Sequence, residues 1–590
     1  MKTHKNMTNL EIAKLLKAVA AAHQVKPTGE SNERFRIIAY ERAADAVEHA
    51  TSEMKDLWEE KKLSEIAGIG KTIADHLDEL FKTGKVKHFE EIFKCLPPAM
   101  FELLDVPGVG AKTAEKLTKE LGITKAHGAL EKLHKAAEKG RVRGLEGFGE
   151  QSEKEITESI REVKERTRRL LLPHATGIAE DVIAWMKRKS GMDSIDTLGS
   201  LRRSASTVGD VDIAVASNKP EEVIRHFVEY PKKTKVIEAG RETASLLLPG
   251  GVQVDLMVQP PDAYGALLQH FTGSKHHNVA LRVFALKKKL SLSEHGIKKG
   301  GKLLKVSDEQ KFYKALGMAW IPPELREDQG EIDASVEHKL PKLVELKDIK
   351  GDLHMHSDFP SETSHDVGVN TLQEMAEEGK RLGYEYIALT EHNPKSAESE
   401  KKILEILREK KERVDKLNDK NIIKRVFNCL EIDIQPDGKL ALPEKSFDFI
   451  DFGIVSIHSS FKATRDHQTK RVLAALANPK VKIFAHPTAR KLNEREGVDF
   501  DWDKIFEFCK KNGKAVEINS SPQRLDLPDM LVHKAVKQGV KLTISTDSHA
   551  KDQMIGMRYG VSVARRGWAE KKNILNTLGY LDFKKALGVD

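Results

Sequence analysis

The sequence predicts a multidomain chain in which an all-α N-terminal third is followed by an α/β middle and a C-terminal β/α barrel. Three observations predict it. The chain has 590 residues, too many for one hydrophobic core and enough for roughly 3 to 5 compact units. Up to about residue 165, short amphipathic stretches rich in Ala, Leu, Lys and Glu are broken by glycine turns. From about residue 166, strand-length apolar runs alternate with helical patterns.

Composition narrows the class. Hydrophobic residues make up 39% and charged residues 32%, and no apolar run reaches membrane-spanning length or follows the N-terminus as a signal peptide would. A soluble, cytoplasmic protein with no membrane partner is expected, working as a monomer near the nucleoid. Cys95, Cys429 and Cys509 are far apart, which fits neither a disulfide framework nor a CxxC metal motif. The net charge of +8 is a weak pointer to a polyanion. Its local form is sharper: Arg282, Lys287, Lys288, Lys289, Lys298, Lys299, Lys302 and Lys305 stand against Glu294 alone, a density suited to phosphates or, in the ordinary alternative, to a solvated face.

In the N-terminal third, three turns share a pattern: Ile66-Ala-Gly-Ile-Gly-Lys-Thr, Val106-Pro-Gly-Val-Gly-Ala-Lys and Leu145-Glu-Gly-Phe-Gly-Glu. Each sets a hydrophobic residue between two glycines just before a helical stretch. The pairs Gly68 and Gly70, Gly108 and Gly110, and Gly147 and Gly149 let the chain turn sharply and bare backbone N–H groups at a helix N-terminus, where a phosphate is favoured. Such turns grip a nucleic-acid backbone without reading sequence, and they resemble helix-hairpin-helix motifs. Phe148 and Glu150 make the third the least typical.

In the middle, Gly209-Asp-Val-Asp-Ile-Ala-Val-Ala reads as a strand whose period of two puts Asp210 and Asp212 on one face. Converging carboxylates call for a hard cation such as Mg2+ or Mn2+. Asp255, in Val252-Gln-Val-Asp-Leu-Met-Val, supplies a third carboxylate if its strand lies beside the first, and three aspartates can hold two metals for in-line phosphoryl transfer. Upstream, Gly199-Ser-Leu-Arg-Arg-Ser offers a turn, a hydroxyl and two guanidinium groups for a triphosphate, with Arg203 the better candidate for the phosphates.

This constellation resembles the family X DNA polymerases. The resemblance rests on Gly199-Ser200, Arg203, Gly209-Asp-Val-Asp212 and Asp255, then His270-Phe-Thr-Gly-Ser274, Asn278 and Arg282. It implies that Asp210, Asp212 and Asp255 are catalytic metal ligands and that Ser200, Arg203 and Gly209 hold the outer phosphates. Phe271, Gly273 and Asn278 would line the sugar and base, and Arg282 would lie near the template. His270 stands where a Tyr usually precedes the Phe, which bears on ribonucleotide discrimination. Gln253 replaces an Arg near the primer terminus. His76 stands where lyase-active relatives carry a Schiff-base Lys, and an imidazole does not form that imine, so weak or absent lyase activity is expected.

After a Pro- and Glu-bearing stretch, Trp320 to Lys347, comes Gly351-Asp-Leu-His-Met-His-Ser. On a strand, His354 and His356 face the same way and can share an ion. His392, Glu431, His458, His486, Asp547 and His549 each follow a short apolar run, with helical stretches between them. That order is expected of a β/α barrel with ligands at its strand C-termini. The arrangement resembles the polymerase and histidinol phosphatase (PHP) domain, which implies up to three divalent ions with nine ligands and phosphoester hydrolysis. Eight of the ligands match those residues directly; the ninth is Asp366 or, second, His365. Cys429 replaces a glycine two residues before Glu431. A mixed His and carboxylate shell suits Mn2+ or Zn2+, and Arg490 is a candidate clamp on the substrate phosphate.

The resemblances together imply a helix-hairpin-helix N-terminal region, an α/β nucleotidyltransferase palm with thumb, and a barrel-like PHP domain, as in microbial family X polymerases. The expected bounds are 1–88 and 89–165 for the helical domains, 166–259 for the palm, 260–328 for the thumb, 329–349 for a linker and 350–590 for PHP. The implied function is gap filling on nicked or gapped DNA with dNTPs in repair, together with a 3′-5′ exonuclease and an abasic-site endonuclease or 3′-phosphatase. Two other readings stay open: a polymerase whose PHP domain is a small-molecule phosphatase, and a non-catalytic clamp on DNA ends, against which the gathered aspartates argue.

Overall fold

The computed structural model describes all residues except 1–6, 8, 27–32, 49–53, 60–62, 64–67, 95, 107, 127, 168 and 590. Ile66, Ala67, Cys95 and Pro107, singled out above, lie outside the described residues. The chain divides into two compact units, Met1–Thr167 and Arg168–Asp590.

The first unit is helical and has two apolar clusters. One gathers Ile12, Leu16, Tyr40, Leu77 and Phe81, the other Met100, Leu103, Leu117 and Leu133. All three glycine turns have the same form. Gly68, Gly108 and Gly147 have φ of 99°, 83° and 82°, a region L side chains rarely enter. The residue between the glycines then turns inward: Ile69 and Val109 are buried, and Phe148 packs against the second cluster. The second glycine precedes a helix, Lys71–Thr83, Ala111–Glu120 or Glu150–Thr167. At the first two no side chain caps the helix, so their first N–H groups remain available to an anion.

The second unit begins with a five-stranded sheet, in the order Ser194–Thr197, Val211–Ala216, Gln253–Gln259, Thr243–Leu247 and Lys235–Ala239. Only the pair Val211–Ala216 and Gln253–Gln259 is parallel. Helices Tyr264–Thr272, Lys275–Lys287 and Glu309–Ala315 follow, with a small antiparallel sheet of Leu290–Ser293, Gly296–Lys299 and Lys302–Leu304. Of the basic run, Lys298, Lys299 and Lys302 are exposed on that sheet. Palm and thumb are tied by buried Glu309, which accepts from Arg202 Nη2 at 2.8 Å and from Arg326 Nη1 at 2.6 Å.

Residues 329–349, read as a linker from their Pro and Glu content, are folded. The segment forms the helix Glu331–Val336 and a 3-10 turn at Leu346–Asp348. Glu331 is fully buried and accepts from His277 Nδ1 at 2.6 Å and from the Gln329 N–H at 2.7 Å. Leu340 and Leu343 pack into the thumb core. A buried carboxylate set among polar residues such as Gln329 and Asp333 is hidden from a composition argument, because only its partner, His277, reveals it.

The C-terminal part is a sheet of seven parallel strands in sequence order: Gly351–Met355, Tyr386–His392, Arg425–Asp433, Phe452–Ser456, Val481–Phe484, Ala515–Asn519 and Lys541–Ser545. It nearly closes on itself, since the Asp547 N–H donates to the His354 carbonyl and the His356 N–H to the Ser548 carbonyl, both at 2.8 Å. Tyr386, Ala388, Phe427, Cys429, Phe452, Ile454 and Ala515 fill its interior, and Phe583 and Leu587 plug the N-terminal mouth. Cys429, like Cys509, is a buried free thiol. Two residues further along the same strand face, Glu431 reaches the opposite end, where the filling changes from apolar to ionisable.

Candidate active sites

The palm site is built by strand register. Asp212 and Asp255 are direct partners on the parallel pair, and Asp210 precedes the first of these strands. Carboxylate oxygens of the three all lie within 4.8 Å of one another. Burial, then Asp210 and Asp255, push Asp212 well above the ordinary carboxylate range, and burial chiefly raises Asp255. Such crowding disfavours charge unless a cation is shared. Gln253 holds Asp255, its Nε2 lying 3.0 Å from both carboxylate oxygens.

Gly199 has φ 57°, and a Cβ there would come within 2.4 Å of Asp212 Oδ2. Only glycine lets the helix Gly199–Arg202 start against the carboxylates, and this puts Ser200 and Arg203 beside them. Arg203 Nε donates to Glu327 Oε1 at 3.0 Å and Nη1 to the Thr272 carbonyl at 2.6 Å. Gly273 is close by: a Cβ on it would stand 3.2 Å from Arg203 Nη1. Asn278 Nδ2 donates to the His270 carbonyl at 2.7 Å and Gln269 Nε2 to Asn278 Oδ1 at 2.9 Å, which fixes the turn bearing Phe271. Burial lowers His270 to about 4, so its ring is neutral. Arg282 lies half-buried on the same helix as Asn278.

The barrel site gathers every predicted ligand. His354, His356, Glu431 and Asp547 form one group; His356, His392 and His549 a second; His365, His392 and His458 a third; Glu431, His458 and His486 a fourth. Glu431 is the hub, its carboxylate 2.7 Å from His486 Nε2, 3.1 Å from His354 Nε2 and 3.2 Å from His392 Nδ1. Burial alone would raise it, but His392, His354, His458 and His486 hold it well below its usual value. Burial takes His356 down to about 3 and His486 to about 4. Both ring nitrogens of His356, Nδ1 of His392 and His486, and Nε2 of His549 are buried without a hydrogen-bond partner among the described residues. Imidazole nitrogens left unpartnered around a carboxylate hub fit divalent cations. Both candidates for the ninth position approach: Asp366 lies 3.3 Å from His549 and 3.7 Å from His392, and the His365 ring lies 4.5 Å from that of His392 and 4.6 Å from that of His458, tilted to both.

Sequence reasoning missed three residues here. Glu517 accepts from His354 Nδ1 at 2.9 Å and from the His486 N–H at 2.6 Å, orienting two ligands. Asp433 accepts from His458 Nδ1 at 2.7 Å and His365 Nε2 at 2.9 Å. A carboxylate within an apolar strand, Ala515–Asn519, was the available signal for Glu517. The third is Arg524, with Nε 3.4 Å from Asp547 Oδ2 and Nη1 buried without a partner. Arg490 is engaged otherwise: its Nε donates to the Arg524 carbonyl at 2.9 Å and its Nη2 to the Leu525 carbonyl, so it braces the loop that carries Arg524.

In the first unit, His76 Nδ1 lies 2.9 Å from the Tyr40 hydroxyl and its ring stacks on His88. Burial and then His88 lower its pKa.

Fold and sites together define a class: a DNA polymerase of the beta kind that carries a PHP domain. Residues 267–327 match the DNA polymerase beta thumb, 352–521 the PHP domain, 7–86 a helix-hairpin-helix domain and 100–162 a SAM-like helix-hairpin-helix tandem. The DNA polymerase/3'-5' exonuclease PolX of Bacillus subtilis is 34% identical over 98% of this chain and 99% of its own length. Rat DNA polymerase lambda is 24% identical over 54% of this chain and 56% of its own, and a probable phosphatase of Thermoanaerobacter sp. is 28% identical over 38% and 89%. The chain belongs to the PolX family of DNA polymerases with a C-terminal PHP domain. It is an enzyme of divalent-metal phosphoester chemistry, and among the described residues no helix is long and apolar enough to cross a membrane.

Proposed function

We propose that this chain fills short gaps in DNA during repair and trims DNA 3′ ends at the barrel site. The observation that carries the first half is the pairing of Asp212 with Asp255 beside Asp210, an arrangement suited to holding cations. Asp210, Asp212 and Asp255 would hold the ions, Mg2+ or Mn2+, which when bound would supply activation of the primer hydroxyl and neutralisation of the triphosphate. Ser200, Arg203 and Gly209 hold the outer phosphates, Phe271, Gly273 and Asn278 receive the sugar and base, and Arg282 faces the template. The glycine turns at Gly68, Gly70, Gly108, Gly110, Gly147 and Gly149 grip the gapped or nicked DNA.

In the barrel, His354, His356, His392, Glu431, His458, His486, Asp547 and His549, with Asp366 or His365, would hold up to three Mn2+ or Zn2+ ions. Arg524 takes the clamp role first given to Arg490, because its Nη1 is unpartnered beside the ligands whereas Arg490 is spent on main-chain carbonyls. An abasic-site endonuclease or 3′-phosphatase would use the same residues. The protein works as a monomer on cytoplasmic, nucleoid DNA. The relation to a probable phosphatase favours a second reading, in which the barrel takes small phosphate esters.

A labelled primer on a one-nucleotide gap, with Mn2+ and with or without dNTPs, tests both. Extension lost only in Asp255→Ala and shortening lost only in His356→Ala support the proposal. A primer still shortened by His356→Ala overturns the nuclease assignment, and the barrel is then tried on sugar or amino-alcohol phosphates.

A further inference from the structure

The helix Met557–Arg566 belongs to the barrel but ends in the polymerase site. It begins eight residues after His549, past a 3-10 turn at Lys551–Gly556. It is pressed onto the barrel so closely that a Cβ on Gly560 would fall 2.0 Å from Ser520 Oγ, and one on Gly567 2.2 Å from Val532. A helix seated this way moves with the barrel. Its last residue, Arg566, is nearly buried, and its guanidinium is divided between two bodies. On the barrel side Nε donates to Asp529 Oδ2 at 2.7 Å. On the polymerase side Nη1 donates to the Arg203 carbonyl at 2.8 Å and to Glu327 Oε1 at 2.9 Å.

Glu327 is the carboxylate that receives Arg203 Nε. One oxygen therefore joins an arginine of the barrel to the arginine assigned to the nucleotide phosphates, and the same barrel arginine pins the latter's main chain. With Nε on Glu327 and Nη1 on Thr272, Nη2 of Arg203 meets no acceptor among the described residues. Neighbouring Arg565 repeats the link, its Nε donating to Glu324 Oε1 at 2.7 Å.

We propose that Arg566 is a positioning residue for nucleotide addition: from the PHP domain it fixes Glu327 and the Arg203 main chain, so that the remaining edge of Arg203 meets the phosphates of the incoming nucleotide. The inference rests on the reading of Arg203 as a phosphate ligand. Without Arg566, Glu327 is free to swing and Arg203 loses its orientation, which weakens nucleotide binding more than turnover once nucleotide is bound.

The test uses the full chain, with dNTP kinetics on a one-nucleotide gap, exonuclease assay on single-stranded DNA and thermal melting. Arg566→Gln is expected to raise KM for dNTP about tenfold, with kcat changed less and the exonuclease unchanged. Glu327→Gln should do the same, and the double variant should lose less than the product of the two single effects. If Arg203→Gln raises KM and Arg566→Gln does not, the inference falls while the reading of Arg203 stands. If Arg203→Gln leaves KM unchanged, that underlying reading falls. Equal loss of both activities with a lowered melting temperature would mark Arg566 as a general structural anchor and overturn its positioning role.

Discussion

Asp212 and Asp255 stand as direct partners across a parallel pair of strands, and the helix start at Gly199 presses against the first of them. Two carboxylates fixed by strand register cannot relax apart, so their repulsion is relieved by a proton or by a cation.

The first prediction concerns that competition. Asp212 and Asp255 are both held above the ordinary carboxylate value, so each keeps its proton to higher pH and a divalent ion has to displace it. Affinity for the ion therefore rises with pH. The Mn2+ concentration giving half-maximal extension is expected to fall as pH rises. Asp255→Ala is expected to lower extension by about three orders of magnitude while leaving the exonuclease intact. A pH-independent metal requirement would contradict the burial argument.

The barrel offers a second. Glu517 touches His354 and His486 without being placed to bind an ion itself, and Glu517→Gln should weaken metal binding there by about 10- to 100-fold. Metal content after dialysis against a graded chelator reads this directly, with gap filling as the control that stays constant.

Arg524 and Arg490 separate by symptom. Arg524→Ala should cut exonuclease kcat/KM by about a hundredfold with little change in melting temperature. Arg490→Ala should instead lower the melting temperature, because it leaves the Arg524 and Leu525 carbonyls without their donor. A normal melting temperature with lost activity in Arg490→Ala would return the clamp role to that residue.

The glycine turns can be dissected in the same manner. At Gly108 nothing lies within 4 Å of an added Cβ, yet φ is 83°; Gly108→Ala should cost about 1 kcal/mol of stability through the backbone alone. Gly110 is equally open but has φ −76°. Gly110→Ala should leave stability unchanged and weaken binding to gapped DNA, as read by fluorescence anisotropy. If it binds as the parent does, this turn is not a phosphate grip.

Glu309 gives an acid limit to the polymerase body. Burial works to raise its pKa, but Arg326 and Arg202 bring it from 4.5 to about 2. A depressed carboxylate stabilises the fold above its unfolded pKa and loses that contribution as pH falls toward the folded one. About 3 kcal/mol should therefore disappear between about pH 4.5 and about pH 2. Glu309→Gln should melt lower at neutral pH, where buried Arg326 and half-buried Arg202 lose their counterion, and show a flatter acid profile.

Much of this was legible in the sequence, and the reason is physical. Ligands at strand ends follow apolar runs, so His354, His392, Glu431, His458 and His486 announce themselves by position. The strand period brings Asp212 to its face, and the first glycine of each pair marks a turn of positive φ that other residues rarely make. What stayed hidden has no local pattern. Glu517 and Asp433 act through imidazoles that are distant in sequence, Arg524 and Arg490 differ only in what their guanidinium groups meet, and Glu331 is a core residue because of His277. The tie between Arg566 and Arg203 spans most of the second unit, and no spacing rule reaches so far.

The folded segment 329–349 bears on how the two activities should be assigned by deletion. A fragment cut after residue 328 would strip the thumb of Leu340 and Leu343 and leave His277 facing water where Glu331 had been. One beginning at 350 would lose Val344, whose N–H is held by the Ala569 carbonyl. Either half made alone would carry a wound at the seam, and an activity missing from a fragment would report that damage before it reported which half houses the chemistry.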